Sequence, residues 1–142
     1  MLQRIQTLWT FLAVACAVLT LKFSFFSGNK PPDAAATKMF HSVTATSSVF
    51  LLVLTVAIIV TGLVNIFNYK NRRLQVRITL LLILLSLVNI VLYYLETKKF
   101  LPAEGTFDLT AVLALAIPVF LVLAARGIIK DEKLVKSADR LR

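Results

Sequence analysis

The residues able to do chemistry are few, and their spacing says more about packing than about catalysis. Ser86, Asn89, Tyr93 and Glu96 recur at i, i+3, i+7 and i+10 and therefore share one helical face. Thr61, Asn65 and Asn68 share another, with Gly62 beside them. Such stripes do one of two things in an apolar chain. They bond across helices, at about 0.6 kcal/mol per contact, or they line a cavity for a lipid head group or small molecule. The packing role is the simpler expectation, because nothing in either stripe converges on a nucleophile or a metal. The candidate intramembrane stripe is Thr61, Asn65, Ser86, Asn89 and Tyr93.

Catalytic signatures are missing: there is no G-x-S-x-G, H-E-x-x-H, P-loop or C-x-x-C. The one histidine, His41, has no cysteine nearby and its nearest upstream acid is Asp33, a poor metal set. An enzyme acting on lipid would have to draw on Glu96, Glu104, Asp108 and His41. No catalytic residue, metal ligand or cofactor is assigned. Cys16 is the single cysteine and can form no intramolecular disulfide.

The elements that carry these residues are set by hydropathy. The chain is 58% hydrophobic with a mean hydropathy of +0.84, while 16% of its residues are charged. A bilayer accommodates that apolar surface, whereas a water-soluble domain of 142 residues would have to expose much of it. Four runs approach the ~20 residues needed to cross a ~30 Å core. They predict spans at about 5–26, 44–69, 77–97 and 108–129 in one domain, followed by a tail over 130–142. Membrane strands need only ~9–11 alternating residues, so these runs read as helices and the fold class as all-α, an integral membrane four-helix bundle. Pro31-Pro32-Asp33 is a possible helix start for the second span, and Thr106 or Asp108 a cap for the fourth. Pro118 lies mid-span and predicts a kink. Trp9, Tyr69, Tyr93 and Tyr94 sit near span ends, as interfacial anchors do. Arg4 and the run after it resemble a signal peptide, but the chain stays apolar through Phe26, so a retained first span is expected.

Orientation follows from charge. Eleven of the sixteen Lys and Arg fall on one side: Arg4, the 70–77 loop and the segment from Arg126 onward. Five fall on the other. The richer side is expected in the cytoplasm, with both termini inside and the chain in the inner membrane. The formal charge of +9 is thereby explained without nucleic acid.

The segment from Arg126 to Arg142 reads, apart from Gly127, as a basic amphipathic helix. Leu134, Ala138 and Leu141 form its apolar face, and Glu132 and Lys136 make an i, i+4 pair. It suits anionic lipid head groups or a protein partner. RNA is disfavoured, because Asp131, Glu132 and Asp139 interleave with the bases and no aromatic is present to stack.

Met1-Leu2-Gln3-Arg4-Ile5-Gln6-Thr7, together with Arg126 and the run Lys130-Asp131-Glu132-Lys133-Leu134-Val135-Lys136-Ser137-Ala138-Asp139-Arg140-Leu141-Arg142, resembles an uncharacterised family of small four-span membrane proteins of the Bacteroidetes. The likeness covers the whole chain and implies no activity. It suggests that Gln3, Arg4 and Gln6 meet Asp131, Glu132 or Asp139. The candidate docking surface comprises Gln3, Arg4, Gln6, Arg72, Arg73, Arg126, Lys130, Asp131, Glu132, Asp139 and Arg140. The functional expectation is a non-enzymatic accessory, assembly or regulatory subunit that meets other membrane proteins; a lipid- or small-molecule-binding protein using the stripe between the second and third helices is the alternative.

Overall fold

A computed structural model describes residues 2–29, 40–68, 71–100 and 105–140; the side chains of residues 2–4 and 135–140 lie outside the description. Among the described residues there are four helices: α1 (Leu2–Leu19), α2 (Val49–Phe67), α3 (Arg72–Thr97) and α4 (Ala111–Arg140). Each packs on its two neighbours in the order α1, α2, α3, α4 and back to α1, with the α1–α4 contact the most extensive. Among the described residues α2, α3 and the Ala111–Leu134 part of α4 are long and apolar enough to cross a membrane, while the apolar part of α1, Ile5–Leu19, is shorter. Large apolar side chains such as Val53, Leu84, Leu87 and Val119 stay exposed around the helices. That is how a bilayer-facing surface looks.

The helical expectation holds for most of the described residues, and a small sheet is added to it. Three short strands, β1 (Phe26–Asn29), β2 (Phe40–Val43) and β3 (Gly105–Phe107), form an antiparallel sheet of order β2-β1-β3. Phe26 pairs with Val43 on one side and Phe107 on the other. This sheet ties the α1–α2 connection to the α3–α4 connection at one end of the bundle. Its backbone groups find partners across strands, the remaining way to satisfy them where the helices stop.

The expected boundaries shift accordingly. The first helix ends at Leu19 rather than near Phe26, and its last turn closes through bonds from Phe23 N to Leu19 O and Ala45 N to Thr20 O. The second starts at Val49 with Ser48 in the cap position, five residues later than the hydropathy suggests. The proposed start at Pro31-Pro32-Asp33 lies outside the described residues, and the chain is extended at Phe40–Val43 before α2 begins. Thr106 belongs to β3, and Asp108 contributes its carbonyl, not its side chain, to the start of α4. α3 begins earlier than expected, at Arg72, where the Asn71 side chain accepts from Leu74 N. α4 runs without a break through Pro118 into the tail.

Two apolar clusters fill the interior. Phe25, Phe26, Val43, Leu51, Tyr93 and Phe100 form one cluster that includes the sheet residues Phe26 and Val43. Ala13, Ala17, Ile58, Leu82, Ile117 and Leu121 occupy the middle. Close approach of α1 and α2 requires Gly62, where a Cβ would sit 2.5 Å from Val14 Cγ2. Gly127 does the same for α1 and α4, where a Cβ would meet Gln6 Cγ at 2.8 Å.

Candidate functional site

The buried face of α3 is a continuous seam of Gln75, Thr79, Leu82, Ser86, Asn89 and Tyr93. That of α2 is Leu51, Thr55, Ile58, Gly62 and Asn65. Both follow the three-four spacing of a packed helix face. The two seams join by polar rungs at two levels: Asn65 Nδ2 donates to Thr79 Oγ1 at 2.9 Å, and Asn89 Nδ2 donates to Thr55 Oγ1 at 3.3 Å. All four side chains are at most 2% exposed. Thr79 donates onward to Gln75 O, and Ser86 donates to Ile83 O in its own helix. The interface is thus laced shut at both levels.

Among the described residues three buried polar atoms stay unbonded: Asn65 Oδ1, Asn89 Oδ1 and the Tyr93 hydroxyl. The hydroxyls of Thr20 and Thr55 flank Tyr93, neither in hydrogen-bonding geometry with it. Tyr93 is 1% exposed and stacks on Phe25 at 4.8 Å, so it is a core residue and not an interfacial anchor. Trp9 stacks on Phe120 at 5.8 Å, Tyr94 is exposed, and Tyr69 lies outside the described residues. Thr61 is half-buried at the edge of the α2 seam, and Asn68 forms the C-cap of α2. Thr55, Thr79 and Gln75 complete the seam. Stepping back from Asn65 and Ser86 by threes and fours would have found them.

At the sheet end the candidate acids do not converge. Asp108 Oδ1 accepts from Ser27 at 2.8 Å, and its Oδ2 accepts from Ser24. Asp108 N also donates to Phe25 O at 3.2 Å, and Thr110 Oγ1 donates to Ser24 O. The residue clasps the start of α4 onto the chain entering β1. Glu96 pairs with Lys99 at 2.7 Å. His41 is exposed on β2, an edge strand, and Glu104 lies outside the described residues. No three His, Cys, Asp or Glu among the described residues are grouped so as to hold a metal ion. Cys16 is a free, half-buried thiol.

At the opposite end the structure brings together two of the residues matched by motif. Gln6 Nε2 donates to Asp131 Oδ2, joining the first turns of α1 to the last part of α4. Gln6 is 6% exposed and Asp131 7%. Glu132 lies 4.0 Å from Arg73 across the α3–α4 boundary. Arg73, Arg77, Arg126, Lys130 and Lys133 are exposed, and Arg72 is half-buried. The side chains of Gln3, Arg4, Asp139 and Arg140 lie outside the described residues.

The arrangement holds helices together at two levels of the bundle and at both ends, and the exposed Lys130 and Lys133 flank Asp131 in sequence. No curated protein matches the chain. The model of a domain of unknown function, DUF4293, matches residues 2–141. The chain belongs to that family.

Proposed function

We propose that this chain is a non-enzymatic, four-span protein of the inner (cytoplasmic) membrane with both ends in the cytoplasm, acting as a small accessory, assembly or regulatory subunit of a larger membrane complex. The observation that carries the reading is the α2–α3 seam. Its two cross-helix bonds, Asn65 to Thr79 and Asn89 to Thr55, are buried and tie the helices together, which supports packing there over a working polar site. The acids follow the same pattern, since Asp108, Glu96 and Asp131 each hold a bond between or within elements. The exposed basic rim is then the surface a partner or an anionic head group would meet.

α1 serves as the fourth span in this reading. Its 18 residues rise ~27 Å at about 1.5 Å each. The turn that closes on Leu19 O carries the chain on to the exposed Lys22. In a Cys16→Ser background, Ser42→Cys should react with an impermeant maleimide from outside the cell, and Arg73→Cys only after permeabilisation. The reverse pattern would overturn the orientation. The subunit role is tested by purification from native membranes in mild detergent followed by native mass spectrometry. A stoichiometric partner is expected, and a lone chain at native abundance would reject it.

A second reading, a binder of lipid or a small molecule at the α2–α3 stripe, draws on the unbonded Asn65 Oδ1, Asn89 Oδ1 and Tyr93 hydroxyl. It requires the seam to open. Hydrogen exchange at residues 86–93 that is unchanged by membrane lipid extracts would count against it.

A further inference from the structure

We infer that a groove between α3 and α4, at the sheet end, holds the upper part of one acyl chain of an anionic phospholipid whose phosphate rests at Lys98. This rests on the chain's placement in a membrane and not on the subunit role proposed above.

The groove has a volume of about 660 Å³, within the ~300–1,000 Å³ usual for ligand sites. Its walls are Val91 and Tyr94 on α3 and Val112 and Leu115 on α4, each more than half exposed. Ala111 and Phe25, both 8% exposed, are its most buried lining residues. The small side chain of Ala111 leaves the space open. Among the described residues Asp108 is the one charged residue in the lining, and both its carboxylate oxygens already accept from Ser24 and Ser27. The interior therefore suits an apolar moiety without a head group.

The rim is different. Lys98 stands one turn beyond Tyr94, with its Nζ 5.2 Å from the centre of that ring. Its neighbour Lys99 is engaged by Glu96 at 2.7 Å. An exposed cation held over an amphipathic ring, at the end of an apolar slot that opens sideways, matches an amphiphile with an anionic head.

Length separates this occupant from a partner helix. The lining runs from Ile90 to Tyr94 on α3 and from Ala111 to Leu115 on α4, or roughly 6 Å of rise on each. A partner span would need a seam along much of a ~30 Å core. The upper methylenes of a single alkyl chain need no more than the slot provides, and the rest of that chain continues into the bilayer.

The test places p-benzoylphenylalanine at Val112 in the full chain, with Leu84 as the control. Leu84 is 60% exposed on α3 and lies outside the groove. After irradiation of native membranes, intact mass spectrometry reads the adduct. Anionic phospholipid adducts at Val112 should exceed their share of the membrane by about 5-fold, the value of one lysine near a head group. Adducts at Leu84 should follow bulk composition, and Lys98→Glu should abolish the enrichment at Val112. Unmodified chain purified with equal phosphatidylglycerol and phosphatidylcholine should retain the former in native mass spectra, and Lys98→Glu should lower the phosphatidylglycerol retained by one molecule per chain, the basic rim at the opposite end keeping its own. Bulk composition at Val112, or an adduct to another protein, would overturn the proposal. Release of the chain by alkaline carbonate would instead overturn the membrane placement beneath it.

Discussion

Replacing Gln6 with Met while leaving Asp131 in place should open the lower end of the bundle. Gln6 donates to Asp131 Oδ2, and both side chains are over nine-tenths buried, at 6% and 7% exposure. Met retains the bulk of Gln6 against Gly127, so packing changes little. What is lost is a hydrogen bond to a carboxylate, worth about 1.5–3 kcal/mol, and the acid stays behind, buried without that donor. At roughly 1.4 kcal/mol per factor of ten, amides near Gln6 and Asp131 should exchange about 10- to 100-fold faster. Asp131→Asn keeps an acceptor and should lose about half as much. The double change Gln6→Met with Asp131→Leu removes both polar groups and should recover most of the loss. The assay is hydrogen exchange read by mass spectrometry over residues 5–10 and 124–134 in a lipid nanodisc, arranged as a double-mutant cycle. Single variants whose effects simply add, or Gln6→Met with protection within 2-fold of the parent, would refute the reasoning, because partners in one buried bond must couple.

Three further outcomes follow from the packing. Asn65→Leu should lower stability by about 0.6–1.7 kcal/mol, the range for interhelix hydrogen bonds in membrane proteins; adding Thr79→Val should cost little more, and thermal unfolding in detergent would show it. Gly62→Ala puts a Cβ 2.5 Å from Val14 Cγ2 and should destabilise by about 1–3 kcal/mol; Val14→Ala in the same chain should restore the melting temperature, and failure to do so would place the strain elsewhere. Asp108→Ala frees the Ser24 and Ser27 hydroxyls and should cost about 1.5–3 kcal/mol, visible as faster exchange in β1 and β3 with the middle of α3 unchanged.

Hydropathy and run length made the four helices legible because a long apolar run has few other stable forms. The stripe of Ser86, Asn89 and Tyr93 was legible for a related reason, since helical spacing places residues on a face before any partner is known. The partners were not legible. Asn65 meets Thr79, and Asn89 meets Thr55, 34 residues away in sequence. Which level of α2 stands beside which level of α3 depends on the length of the turn between them and on how closely Gly62 lets α1 approach. Tyr93 shows the same gap: its position near a span end suits an interfacial anchor, whereas Phe25 stacked on it makes it core.

The sequence by itself determined that apolar helices dominate, where they run to within several residues, and that its polar positions fall into stripes. It also marked Gln6 and Asp131 as belonging to terminal motifs that could meet. Only the tertiary structure decided that α1 stops at Leu19, that Phe26–Asn29 pairs with a second strand of its own connection and with one from the α3–α4 connection, and that Asp108 clasps Ser24 and Ser27 instead of capping α4 by its side chain. The reason is physical. A helix satisfies its backbone within a few residues and so declares itself locally, whereas β1 and β3 pair only because the bundle brings two distant connections together.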